Sequence, residues 1–140
     1  MIRQTVVVNR PIEQVFAYGA DFARHPEWQT DLKGASFEGP LAVGATGTET
    51  RQMGPRVHTY GWRLTEYDAP NSLAFETMSG PMRPAGRMAF TSSGDATTVE
   101  FTMTLNPRGF MKLLSPMITK RVQQQTAEHM VAFKQQLESD

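Results

Sequence analysis

Cysteine is absent from this 140-residue chain. That absence excludes disulfides, thiolate metal sites and cysteine nucleophiles. Neither sign of charge is in excess, because fourteen basic and fourteen acidic side chains cancel. Such a balance argues against a broad nucleic-acid footprint or a polybasic membrane anchor and leaves room only for a local patch. Long apolar runs are missing too: Ser115 and Pro116 interrupt the stretch from Leu113 to Ile118, so no transmembrane helix is predicted. The opening strand-like segment turns polar at Asn9-Arg10, too early for a secretory signal. These absences predict a soluble, cytoplasmic protein with no nucleic-acid partner and no stable membrane insertion. What remains is ordinary for a globular chain, at 39% apolar and 20% charged residues. The length points to a single domain over residues 1–140 that buries roughly two-thirds of its unfolded surface.

Period-two patterning dominates the chain. The β-branched segment Ile2 to Val8 reads as the first strand. Pro11 then suits the first turn of a helix, and Ile12, Val15, Phe16 and Gly19 follow helical spacing. Asp21 is placed to cap a second short turn, Phe22 to Arg24, which Pro26 limits. Six further strands are predicted: Gly34 to Phe37, Gly47 to Met53, Val57 to Tyr67, Ser72 to Met78, Arg87 to Thr91 and Thr97 to Leu105. Turn chemistry separates them at Gly39-Pro40, Gly54-Pro55, Asp68 to Asn71, Gly80-Pro81 and Ser92 to Asp95. Short strands at close intervals pair consecutively and antiparallel. From Phe110 to Leu137 the apolar residues trace one broad helical face, with Pro107 able to open the helix and Pro116 expected to kink or split it.

One sheet and one long helix must share a core. The expected fold is therefore α+β: a curved seven-stranded antiparallel sheet wrapped around a long C-terminal helix, with two short helices after the first strand (β-α-α-β6-α). Such a wrap is too wide for one helix to fill, and a cavity between sheet and helix is expected.

Ordered landmarks carry a resemblance. The chain opens Val6-Val7-Val8-Asn9-Arg10-Pro11-Ile12-Glu13-Gln14-Val15-Phe16, followed by Asp21-Phe22-Ala23-Arg24-His25-Pro26-Glu27-Trp28. Val43-Gly44 precedes a strand, Leu64 to Pro70 ends one, Thr97-Thr98-Val99 begins another, and a long helix closes near Lys134 to Glu138. In these features the sequence resembles the START-like, or Bet v 1-like (SRPBCC), helix-grip superfamily, in its bacterial polyketide cyclase/dehydrase and lipid-transport branch. The resemblance implies a helix-grip fold and either a carrier of a hydrophobic ligand or a cyclase/dehydratase. One fold hosts many functions, so it does not choose between them. Where the family tends to place a bulky residue after Val-Gly, this chain has Gly47, which either widens the pocket or marks a bulge.

Alternation assigns inward faces. His58, Tyr60, Trp62 and Leu64 share the apolar side of one strand; Phe75, Met88, Phe90, Phe101 and Met103 point inward on others. The helix adds Phe110, Leu114, Met117, Ile118 and Arg121. These residues either line a ligand cavity or pack a solid core. The landmark at Gly47 implies that Glu49 and Arg51 face inward with it; the alternative is a solvated surface pair. His58 is a candidate general acid or base or else a satisfied core histidine, His25 a capping or surface hydrogen-bonding residue, and His129 a partly exposed helix residue.

His-Glu-x-x-His, Walker A, Gly-x-Gly-x-x-Gly and Gly-x-Ser-x-Gly motifs are all absent, and the histidines lack chelating spacing, so no metal or cofactor is expected. The favoured expectation is a carrier, monomer or homodimer, for a hydrophobic small molecule or lipid. Its apolar contacts come from Tyr60, Trp62, Phe75, Met88, Phe90, Phe101, Met103, Phe110, Leu114 and Met117, and Arg51, Glu49, His58 or Arg121 orients the ligand. The alternative is a cyclase/dehydratase on a polyketide-like or aromatic substrate in which His58 or Glu49 moves the proton and Arg51 or Tyr60 stabilises an enolate oxygen. A lesser alternative is an interaction module with a filled core.

Overall fold

The computed structural model describes residues 1–79, 82–107 and 109–139. Its elements run β1 (Ile2–Val8), α1 (Ile12–Gly19), a 3₁₀ helix (Phe22–Glu27), β2 (Leu32–Phe37), β3 (Thr46–Met53), β4 (Arg56–Asp68), β5 (Ser72–Thr77), β6 (Ala85–Ser93), β7 (Ala96–Thr104) and α2 (Met111–Glu138). All seven strands join one antiparallel sheet in the order β1-β7-β6-β5-β4-β3-β2. Consecutive hairpins build β2 to β7, and β1 closes against β7. The architecture is the expected helix grip, with strand ends shifted by one or two residues. The Gly80-Pro81 turn lies outside the described residues.

Two register shifts, between Leu32 and Gly34 and between Leu64 and Glu66, mark bulges. An extra residue in one strand raises local twist and bends it, which suits a sheet that must curl around a helix. Gly94 supplies the positive φ, 63°, that the two-residue β6–β7 hairpin favours at its first central position.

The helices divide the concave face between them. α1 packs on β6 and β7, burying Val15 and Phe16, with the Phe16 ring edge-on to Phe90 at 5.2 Å. α2 lies along β1, and its fully buried residues, Thr126, Met130, Phe133 and Leu137, all fall in its carboxy-terminal half. Phe133 is wedged between Tyr18 at 5.4 Å and Trp28 at 5.0 Å. The same end is pinned to the β1–α1 junction. Glu138 Oε2 accepts from the Asn9 amide at 2.8 Å, and Lys134 Nζ donates to the Val7 carbonyl at 2.6 Å.

Three local expectations change. α2 is one unbroken helix across Pro116, an exposed position. Asp21 makes no side-chain cap, and the 3₁₀ helix runs through Pro26 to Glu27. His25 is buried rather than at the surface, stacked between Phe22 and Trp28 at 4.7 and 4.8 Å. Among the described residues no helix is long and apolar enough to cross a membrane.

Candidate functional site: a cavity with a polar end

A cavity of about 630 Å³ lies between the concave face of the sheet and α2. Its apolar wall includes Phe22, Trp62, Phe75, Phe101, Met103 and Met130. The helix turns Met111, Ile118, Val122, Gln125 and His129 toward it, a spacing of seven, four, three and four that holds one helical face. The lining residues His58, Gly54, Ser79 and Arg121 are exposed and mark the mouth.

Glu49, Arg51, Tyr60 and Trp62 all border this cavity, as do His58, Phe75, Phe101, Met103 and Arg121. Gly47 explains the register at the inner end. A Cβ there would stand 2.4 Å from the Trp62 indole and 2.2 Å from the Ser36 carbonyl, so the glycine is neither a bulge nor a widening but the seat of the tryptophan. Its partner Trp62 also stacks on Phe22 at 4.4 Å.

Five expected contacts stand elsewhere. Met88 and Phe90 are buried in the packed core beneath α1, against Gly19, because α1 covers that part of the concave face. Phe110 and Met117 are exposed and Leu114 is half-buried, none of them on the cavity wall. Of the expected helix face, Ile118 and Arg121 do border the cavity, while Phe110, Leu114 and Met117 lie off it.

At the polar end Arg51 is the hub. Its Nε donates to the Tyr60 hydroxyl at 2.7 Å, Nη1 to Asp31 Oδ2 at 2.8 Å, and Nη2 to Gln29 Oε1 at 2.9 Å and Glu49 Oε2 at 2.7 Å. Four of its five N–H groups are thereby used within the chain. Burial alone would lower the Arg51 pKa, but the charges of Glu49, Tyr60 and Asp31 outweigh it and hold the guanidinium charged. Desolvation likewise opposes the Asp31 charge. The neighbouring His129 and the Arg51 charge overcome it and draw the Asp31 pKa down to about 2. His129 Nε2 stands 3.0 Å from Asp31 Oδ1. Desolvation is also the main reason the Tyr60 phenol is raised.

His25, a buried residue of the cavity lining, extends the network. Its Nε2 faces the Gly19 carbonyl at 2.9 Å, which can only accept, so Nε2 carries the proton and Nδ1 accepts from Gln29 Nε2 at 3.3 Å. Burial pushes its pKa down to about 4 and keeps the ring neutral.

Asp31, Gln29 and His129 were missed by pattern reading. Asp31 and Gln29 lie in the coil between the 3₁₀ helix and β2, where alternation assigns no face, and His129 meets Asp31 only through the packing of α2.

A curved sheet gripping a long helix over an internal cavity defines the helix-grip class. Residues 1–138 match the family model described as polyketide cyclase / dehydrase and lipid transport, and the chain belongs to that family. No curated protein matches the sequence. Among solved structures, the Zhui aromatase/cyclase from Streptomyces sp. R1128 is 13% identical, with 98% of this chain and 92% of that chain covered and a TM-score of 0.85. A START superfamily protein from Mycobacterium smegmatis is 14% identical (99% and 97% covered, TM-score 0.82). TTHA0849 from Thermus thermophilus is 16% identical (99% and 97% covered, TM-score 0.84). At these identities the likeness establishes the fold.

Proposed function

We propose that the chain binds a hydrophobic small molecule or lipid between sheet and α2 and acts as a carrier or binding protein in the cytoplasm. The observation that carries this reading is the cavity of about 630 Å³ with its aromatic and methionine wall. Pockets of this size and lining bury most of a small apolar ligand, and methionine adapts to variable shapes. The carboxy-terminal half of α2 is anchored, while its amino-terminal half has no fully buried residue and forms the wall near the mouth. An unanchored wall segment of this kind is the part that yields when a ligand passes.

The cyclase/dehydratase reading requires a free proton-transfer group and a free cation for an enolate. His58 is exposed at the mouth, and Glu49 and Arg51 are paired with each other at 2.7 Å. These placements favour binding over turnover.

Titration with the neutral, solvent-sensitive dye Nile red tests the proposal. The wild type is expected to bind one equivalent with a blue-shifted emission. Ile118→Trp, which pushes a larger side chain into the cavity from α2, is expected to weaken binding by about tenfold or more without lowering the melting temperature. Equal binding by both proteins would contradict the site.

A further inference from the structure

Charge accounting at the polar end narrows the class of ligand. Asp31 and Glu49 contribute two negative charges against one positive charge from Arg51. The two carboxylates thus outnumber the guanidinium by one, with the His129 imidazole 3.0 Å from Asp31, in walls where charges are weakly screened.

The hydrogen-bond inventory has the same sign. Arg51 spends four of its five N–H groups on its own chain. Glu49, with a side chain only 12% exposed, uses Oε2 for Arg51, while its Oε1 has no hydrogen-bond partner among the described residues. Among the described residues Trp28 Nε1, Trp62 Nε1 and Asp31 Oδ1 also lack hydrogen-bond partners, but all three atoms are closed off from any probe the size of water, so a ligand does not reach them. Among the described residues the polar end therefore offers a carboxylate acceptor and lacks a free cation. Two other arginines line the cavity: Arg121, at the exposed mouth, stands in solvent where its charge is screened, and Arg83 is half-buried in the segment between β5 and β6.

Building on the binding reading above, we propose that the ligand is an apolar molecule whose polar group is a hydrogen-bond donor aimed at Glu49, with a protonated amine bound more tightly than an alcohol and a carboxylate turned away from the polar end. A carboxylate placed there would face two like charges, with at most one free N–H on Arg51 and the Tyr60 O–H to set against them. An ammonium would offset the excess carboxylate through a charge-assisted hydrogen bond to Glu49. On this account a free fatty acid is a poor ligand.

The test is displacement of bound Nile red by n-decylamine, n-decanol and n-decanoate, three ligands of equal chain length, each below its critical micelle concentration. The expected order is amine, then alcohol, then carboxylate, with about tenfold or more between the first and the last. Glu49→Gln keeps the shape and the acceptor for Arg51 while removing the charge. It should reduce the amine to the affinity of the alcohol, both measured against Nile red on the same variant. Nile red binding with decanoate at least as tight as decylamine would overturn the donor proposal and place the head group at Arg121 or Arg83 instead. Failure of Nile red itself to bind would overturn the cavity reading beneath it. Should Glu49→Gln not fold, the order measured on the wild type decides alone.

Discussion

Gly47 and Trp62 face each other across the β3–β4 pair, and the indole occupies the space that a side chain at position 47 would fill. The tryptophan is thereby laid flat against the sheet and onto Phe22, shaping the inner wall of the cavity. Gly47→Ala forces the ring or the β2 backbone to move, since the added carbon would stand 2.2 Å from the Ser36 carbonyl. Overpacking of this kind costs about 1–3 kcal/mol. A chemical-denaturation midpoint lowered by that amount, together with altered Trp emission, is the expected result.

Removing Arg51 strands two carboxylates that border the cavity. Arg51→Met is expected to destabilise the protein by about 3–5 kcal/mol, the range for breaking a buried ion pair from one side. The double variant Arg51→Met with Glu49→Gln should recover part of the loss, because it removes one of the stranded charges. Equilibrium urea unfolding of both variants measures the difference.

Acid should weaken the fold in two stages of known sign. His25 is held neutral with its pKa lowered to about 4, against 6.5 in the unfolded chain. Below pH 6.5 the unfolded chain gains a proton that the folded chain refuses, so stability falls from pH 6.5 to about 4, by on the order of 3 kcal/mol. Asp31 follows. Its pKa of about 2, against an ordinary 3.8, gives stability that is present above pH 3.8 and is lost as the pH falls to about 2. His25→Gln retains a donor for the Gly19 carbonyl and should flatten the first stage while leaving the second. Urea melts at half-unit pH steps separate the two.

His58 sits at the mouth, opposite Arg51 in the β3–β4 register. A carrier tolerates its loss. His58→Ala is expected to keep Nile red affinity within about threefold, and the titration described above reads it directly.

How far the sequence disclosed this arrangement depended on the kind of order each residue obeys. Alternation is a local rule, and it put Tyr60 and Trp62 on the concave face, while the family resemblance at Gly47 put Arg51 there with them; β3 and β4 run without a bulge against each other, so the parity holds. The same rule cannot say what covers a face. Met88 and Phe90 point inward as alternation requires, yet they meet α1 rather than the cavity. On α2 the helical period was plain but its phase was not: the amino-terminal half is apolar on more than one side, and Phe110, Leu113 and Met117 remain exposed. Asp31 and His129 lie far apart in sequence and are joined by tertiary packing alone, so no spacing announces them.

Native mass spectrometry of the full chain, purified without detergent and sprayed with and without excess Nile red, tests the central claim most directly. The account predicts a one-to-one complex per chain with the dye, or a co-purified mass that the dye displaces, and the same spectrum reports monomer or homodimer. A bare polypeptide mass under both conditions would contradict it, leaving a helix-grip protein whose cavity takes no apolar guest.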